Sequence, residues 1–98
     1  MSDVLIEKNL NSTKDWDFFK EAFNNADKDF LKRAKKLHPD LTHNNLKFCA
    51  YLRLNLTSKE IAPLLNISVK SVEIRRYRLR KKLNLSSKTN LTDYILSI

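Results

Sequence analysis

Arg53-Leu-Asn-Leu-Thr-Ser-Lys-Glu-Ile-Ala-Pro-Leu-Leu-Asn-Ile-Ser-Val-Lys-Ser-Val-Glu-Ile-Arg-Arg-Tyr-Arg-Leu-Arg-Lys-Lys-Leu-Asn-Leu85 reads as a short helix, a tight turn and a long basic helix. Thr57, followed three residues later by Glu60, spells a capping box in which hydroxyl and carboxylate each satisfy an orphan amide at a helix start. It opens a first helix over about 58–65. Pro63 removes an interior hydrogen bond there, at about 3 kcal/mol in a regular helix, so this helix is expected to be short and distorted near its end. Ser68 caps a second helix, about 69–83, and Asn84 ends it. The spelling is that of a helix-turn-helix.

The charge map points the same way. Residues 1–40 hold 8 Lys/Arg and 8 Asp/Glu, whereas residues 41–98 hold 11 Lys/Arg against Glu60, Glu73 and Asp93. The whole net charge of +8 therefore lies in the C-terminal part, and eight of those 11 cations fall between Lys70 and Lys88. A solvated helix face usually mixes signs. Here Arg75, Arg76, Arg78, Arg80, Lys81 and Lys82 follow Glu73 without an acid. Repulsion at that density destabilises an isolated helix, so a polyanion partner is the better account.

With Val72 as reference and about 100° per residue, Leu79 falls at about −20° and Leu83 at about +20°, which defines the buried face. Lys70, Glu73, Ile74 and Tyr77 lie opposite or at its border, where a helix in the major groove presents side chains to base edges. Arg75, Arg78, Arg80, Lys81 and Lys82 are placed for phosphates, joined by Thr57, Lys59 and Ser68 at the capped helix starts, whose amides attract anions. Glu73 either accepts from a cytosine amino group or pairs with Arg76 or Tyr77 of its own helix, and the intrahelical pairing is preferred. Arg76, about 40° from the core reference, should be tied to a carboxylate, with Glu60 or an acid of the N-terminal helices as candidates.

The remaining sequence supplies a small all-helical domain. Its 98 residues include no glycine, which removes nucleotide-cradling loops and most strand turns. Left-handed positions fall to Asn55, Asn66 and Asn84. Trp16, Phe19, Phe23, Ala26, Phe30, Ala34 and Leu37 share one helical face, as one helix capped by Thr13 or as two (about 14–23 and 27–37) parted near Asn24-Asn25. This stripe packs on the rest of the domain or on a partner, and Pro39 ends it. Thr42 caps the next helix, with Leu46, Cys49, Ala50 and Leu52 as core candidates. A last helix, about 88–97, carries Leu91, Tyr94, Ile95 and Ile98 on one side. The division is thus a lead-in at 1–12, a helical segment at 13–40 and a helix-turn-helix domain at 41–98.

Cys49 is the only cysteine and lies in an apolar helical run, which reads as a small buried hydrophobe. His38 and His43 lack a carboxylate or thiol set at metal-ligand spacing, so neither a metal, a cofactor nor an enzyme is expected. No apolar run approaches the roughly 18 residues of a membrane span, and no signal peptide opens the chain. A soluble, cytoplasmic chain without membrane contact is expected.

Leu41-Thr42, Thr57-Ser-Lys-Glu-Ile-Ala62, Leu65-Asn-Ile-Ser68, Ser71-Val72 and Lys82-Leu83 resemble, without a gap, the C-terminal DNA-binding domain of the LuxR/FixJ family of bacterial transcription regulators. Leu46-Lys-Phe-Cys-Ala-Tyr-Leu52 and Arg76-Tyr-Arg-Leu-Arg-Lys-Lys-Leu83 are similar to the output domains of large sensor-regulators in Bacteroidetes-type bacteria. The resemblance implies an all-α, four-helix unit preceded here by one or two amphipathic helices. It implies a third helix that reads double-stranded DNA and a fourth, with Leu91, Tyr94 and Ile95, that makes a homodimer contact. It further implies an upstream sensor or receiver domain, as in two-component signalling. Asn45 stands where the family usually has Glu, which should weaken the first capping box. Asn55 and Asn84 replace family glycines, Arg75 replaces a frequent His, and Pro63 and Arg76 are unusual.

Other readings compete. Sigma-factor region 4 uses a similar motif from Ile61-Ala to Lys82-Leu83. Leu37-His-Pro-Asp40 resembles the J-domain signature of Hsp70 co-chaperones, where His38, Pro39 and Asp40 would face the chaperone. A third reading is a protein-interaction module built on the aromatic stripe.

Overall fold

The structure, a computed structural model, describes residues 13–98, so the expected lead-in and the side chain of the expected Thr13 cap lie outside the described residues. Six helices and no strand occur among them: α1 (Thr13–Ala26), α2 (Phe30–Leu37), α3 (His43–Arg53), α4 (Ser58–Leu65), α5 (Val69–Lys82) and α6 (Leu91–Ser97). The all-α expectation holds.

The aromatic stripe forms two helices, but they part at Asp27–Asp29 and not at Asn24-Asn25. Asp29 takes the left-handed conformation with φ 67°. Contacts from elsewhere fix this corner. Arg53 Nε donates to Asp27 Oδ2 at 2.7 Å, and Arg33 donates to the Lys28 carbonyl at 3.0 Å. Trp16, Phe23, Phe30 and Ala34 are buried and Phe19 half-buried, whereas Ala26 and Leu37 at the margins are exposed. Tyr51 of α3 meets the Trp16 ring at 6.3 Å and the Phe19 ring at 5.3 Å, so α1 lies along α3.

Central position explains α3. It buries Phe48, Cys49, Ala50, Tyr51 and Leu52 in succession, more than one face, because α1 and α2, α5 and α6 surround it; Leu46 is only half-buried. Burial pushes the Cys49 thiol up to about 12, as a small hydrophobe in the core requires. The first capping box is complete rather than weakened. Asn45 accepts from the Thr42 amide at 3.0 Å, and Thr42 Oγ1 accepts from the Asn45 amide at 3.1 Å. An amide oxygen reaches the cap as well as a carboxylate does.

Three helices end alike. Asn55, Asn66 and Asn84 have φ 62°, 56° and 57°, and the next residue in each case donates back across the end: Leu56 to the Tyr51 carbonyl, Ile67 to Ala62, Leu85 to Arg80. These are Schellman ends, with asparagine in the place usually held by glycine and a half-buried aliphatic residue packed on the core after it. Exposed Pro63 does not stop α4, which continues to Leu65.

The last helix begins at Leu91 rather than near 88. Asn90 Oδ1 accepts from the Asp93 amide at 2.9 Å, and residues 86–89 form a turn in which Thr89 donates to the Ser86 carbonyl. Arg53 donates to the Ile95 and Leu96 carbonyls at 2.8 and 3.0 Å, and Arg33 to that of Ile98 at 3.1 Å. Cations thus complement the negative end of the α6 dipole.

Candidate nucleic-acid interface

The Thr57–Glu60 box opens α4, and Ser68 opens α5 by accepting from the Ser71 amide at 3.1 Å. The turn between them needs only Asn66, Ile67 and Ser68, because Asn66 turns left-handed and Ile67 anchors in the core. Val72 and Leu79, with Leu83 beyond the helix, face inward as the wheel requires. Lys70, Glu73, Ile74, Tyr77 and Lys81 are exposed on the outer side. Ile74 is 41% and Tyr77 58% exposed, large apolar groups on a cationic helix that no core contact explains. Lys81 Nζ sits 4.8 Å from the centre of the Tyr77 ring, which pre-positions both side chains.

Glu73 is already engaged. One oxygen accepts from Ser58 Oγ at 2.9 Å, and the other lies 3.7 Å from Arg76 Nε. Its carboxylate therefore braces α4 against α5 while the side chain stays 58% exposed. The intrahelical pairing is the one found, and Arg76 is tied to Glu73 and to Thr92 Oγ1 at 3.3 Å, not to Glu60 or to an acid of the N-terminal helices. Glu60 is unavailable because it caps Thr57 at 2.9 Å.

The cation run separates into two sets. Arg80 donates to the carbonyls of Thr89 and Ser86, holding the loop before α6, and Lys82 donates to Asn45 Oδ1 at 2.8 Å. Both were expected at phosphates, and both have partners within the protein, Lys82 while remaining exposed. Arg75, Arg78 and the Lys81 ammonium are exposed with no carboxylate partner among the described residues. Arg75 and Arg78 border two clefts. One of about 410 Å³ runs between them and Asn44, Asn45 and Phe48 of α3; the other, about 320 Å³, adds Ile67, Ser71 and Ile74. Asn44 and Asn45 were not foreseen, since only tertiary packing brings the start of α3 to α5.

Thr57 and Lys59 are exposed at the start of α4. Ser68 also donates its hydroxyl to Ser71 Oγ at 3.0 Å, which leaves the first amides of α5, those of Val69 and Lys70, as open donors.

The expected dimer residues divide. Leu91 is 3% exposed and Ile95 0%, so both belong to the core of one chain. Tyr94 is half-buried and its hydroxyl meets His38 Nε2 at 2.6 Å. Leu96, 45% exposed, faces outward instead. The same His38 contact gives Leu37-His-Pro-Asp40 a structural use as an elbow, which Lys35 Nζ tightens by donating to the Pro39 and Leu41 carbonyls. No helix of the described residues is long and apolar enough to cross a membrane.

The model of the bacterial regulatory proteins of the luxR family matches residues 41–95, more than half of the 98 and the span of α3 to α6. The chain belongs to the LuxR family. Its helix-turn-helix is accordingly a DNA-binding regulatory domain, and a double-stranded DNA partner follows from the family. α1 and α2 lie outside the LuxR-family match. Neither a curated protein nor a solved structure matches the chain.

Proposed function

We propose that the chain binds specific duplex DNA sequences as the output domain of a bacterial transcription regulator, with α5 in the major groove. One observation supports this most: the outer face of α5 sets exposed Ile74 and Tyr77 among cations that lack acidic partners. Lys70, Ile74 and Tyr77 read bases. Arg75, Arg78 and Lys81 hold phosphates, helped by Thr57, Lys59 and the open amides behind Ser68. Ile74 suits contact with a thymine methyl, and the Tyr77 hydroxyl can donate or accept.

The protein acts in the cytoplasm as a homodimer on two half-sites, in contact through α6, where Leu96 is exposed. An upstream sensor or receiver domain controls it, as in two-component signalling. The reading includes no catalysis, since His38 is tied to Tyr94 and the Cys49 thiol is buried.

Titration onto random-sequence duplex DNA at several salt concentrations is the direct test. The expected result is a steep linear fall of log affinity with log salt, on the order of four or more phosphates' worth. Absence of binding at low salt would sink the proposal.

A further inference from the structure

A wide cleft lies away from α5. It is a half-open trough of about 920 Å³ between the second half of α1, the Asp27–Asp29 corner, α2 and the start of α3. Leu31 and Leu46 form its floor, and Lys20, Lys28, Lys32 and Lys36 stand along its rim. Residues 1–40 are neutral in total, yet this trough is lined by five lysines and one acid, Asp29. The balancing charge is elsewhere. Asp27, for example, is held by Arg53 on the other side of the corner. Lys35 is bound to main-chain carbonyls, and the four rim lysines are exposed, their one acidic contact among the described residues a 4.0 Å approach of Lys32 to Asp29.

An apolar floor does nothing for phosphate, and a trough open along its length encloses a small molecule poorly. Apolar floor and cationic rim together complement a helix with an apolar stripe flanked by carboxylates. We propose that the trough docks an acidic amphipathic helix of a partner protein, its apolar stripe on Leu31 and Leu46 and its flanking carboxylates at Lys20, Lys28, Lys32 and Lys36. This reading does not depend on DNA binding. It gives the N-terminal helices a protein-recognition role on a different face from the aromatic stripe, which is occupied by α3.

The probe is a synthetic helical peptide with leucines at i, i+3, i+4 and i+7 flanked by glutamates, titrated into the full chain by fluorescence anisotropy. Backbone amide NMR spectra of the chain, recorded with and without peptide, map the contact. Binding is expected, with shifts centred on Leu31, Lys32 and Leu46. The doubly exposed variant K32E/K36E should lose on the order of tenfold in affinity, while K81E, on α5, keeps it. A peptide with serines for the leucines should not bind. Failure of the amphipathic peptide to bind the wild-type chain overturns the proposal, as does equal binding by K32E/K36E. A fall in duplex DNA affinity in K32E/K36E as large as in K81E, with no peptide binding, would make the trough a DNA surface instead.

Discussion

Arg53 at the end of α3 donates through Nε to Asp27 at 2.7 Å from 26 positions away in sequence, and its Nη1 donates to the Ile95 and Leu96 carbonyls near the end of α6. One guanidinium thus joins the α1–α2 corner, the central helix and the final helix, with its Cζ 4.6 Å from the centre of the Phe30 ring. Arginine suits the position because it offers several donors in a fixed plane that also stacks on an aromatic ring. Arg53→Ala leaves a partly buried carboxylate and two helix-end carbonyls without their partner. It should lower unfolding free energy by about 2–4 kcal/mol, and Asp27→Asn by less. Urea denaturation of both single variants and the double variant checks this, and additive losses would refute the coupling.

Base reading and phosphate holding make different predictions on one helix. Tyr77→Ala should change the preferred sequence in a binding-site selection. Lys81→Ala should weaken all sequences nearly equally and lower the salt slope by about one. The cation–π contact between the two means that Tyr77→Ala will also loosen Lys81, so Tyr77→Phe, which keeps the ring, is the cleaner probe of the hydroxyl.

Two arginines separated by one turn half should behave oppositely. Arg78→Ala should cost DNA affinity and leave stability within about 0.5 kcal/mol, as for an exposed side chain without partners. Arg80→Ala frees the loop at Ser86–Thr89 and should cost about 1–3 kcal/mol of stability. Its salt slope on DNA should match that of the wild type. A changed slope for Arg80→Ala would restore it to the phosphate contacts.

The Cys49 thiol, buried and pushed up to about 12, should resist alkylation at pH 8 in the folded chain. Labelling should follow global unfolding as denaturant is added. Rapid modification of the native protein would mean that α3 opens locally.

Much of the fold was legible because its signals are local. The Thr42 and Ser68 caps, the Thr57 capping box and the three asparagine ends all depend on residues near each other in sequence, although the reach of the Asn45 amide to the Thr42 cap was underrated. The Asp27–Asp29 break was not legible, since Arg53 arrives from 26 positions away to fix it. For the site, the wheel placed the outer face of α5 but could not sort its cations. Arg75 and Arg80 lie at about −60° and +80° from the core centre, similar flanking positions. One borders an open cleft and the other is enclosed by a loop, a difference set by tertiary packing alone. Leu91 and Ile95, expected at a dimer contact, are buried within the chain itself, for periodicity identifies an apolar face without naming what covers it.

The aromatic ladder of Trp16, Phe19 and Phe23, with the first two rings against Tyr51, carries the hydrophobic core across the start of the family match at residue 41. A chain cut at Leu41 would retain every helix of the regulatory domain yet bare the Tyr51 side of α3 to water.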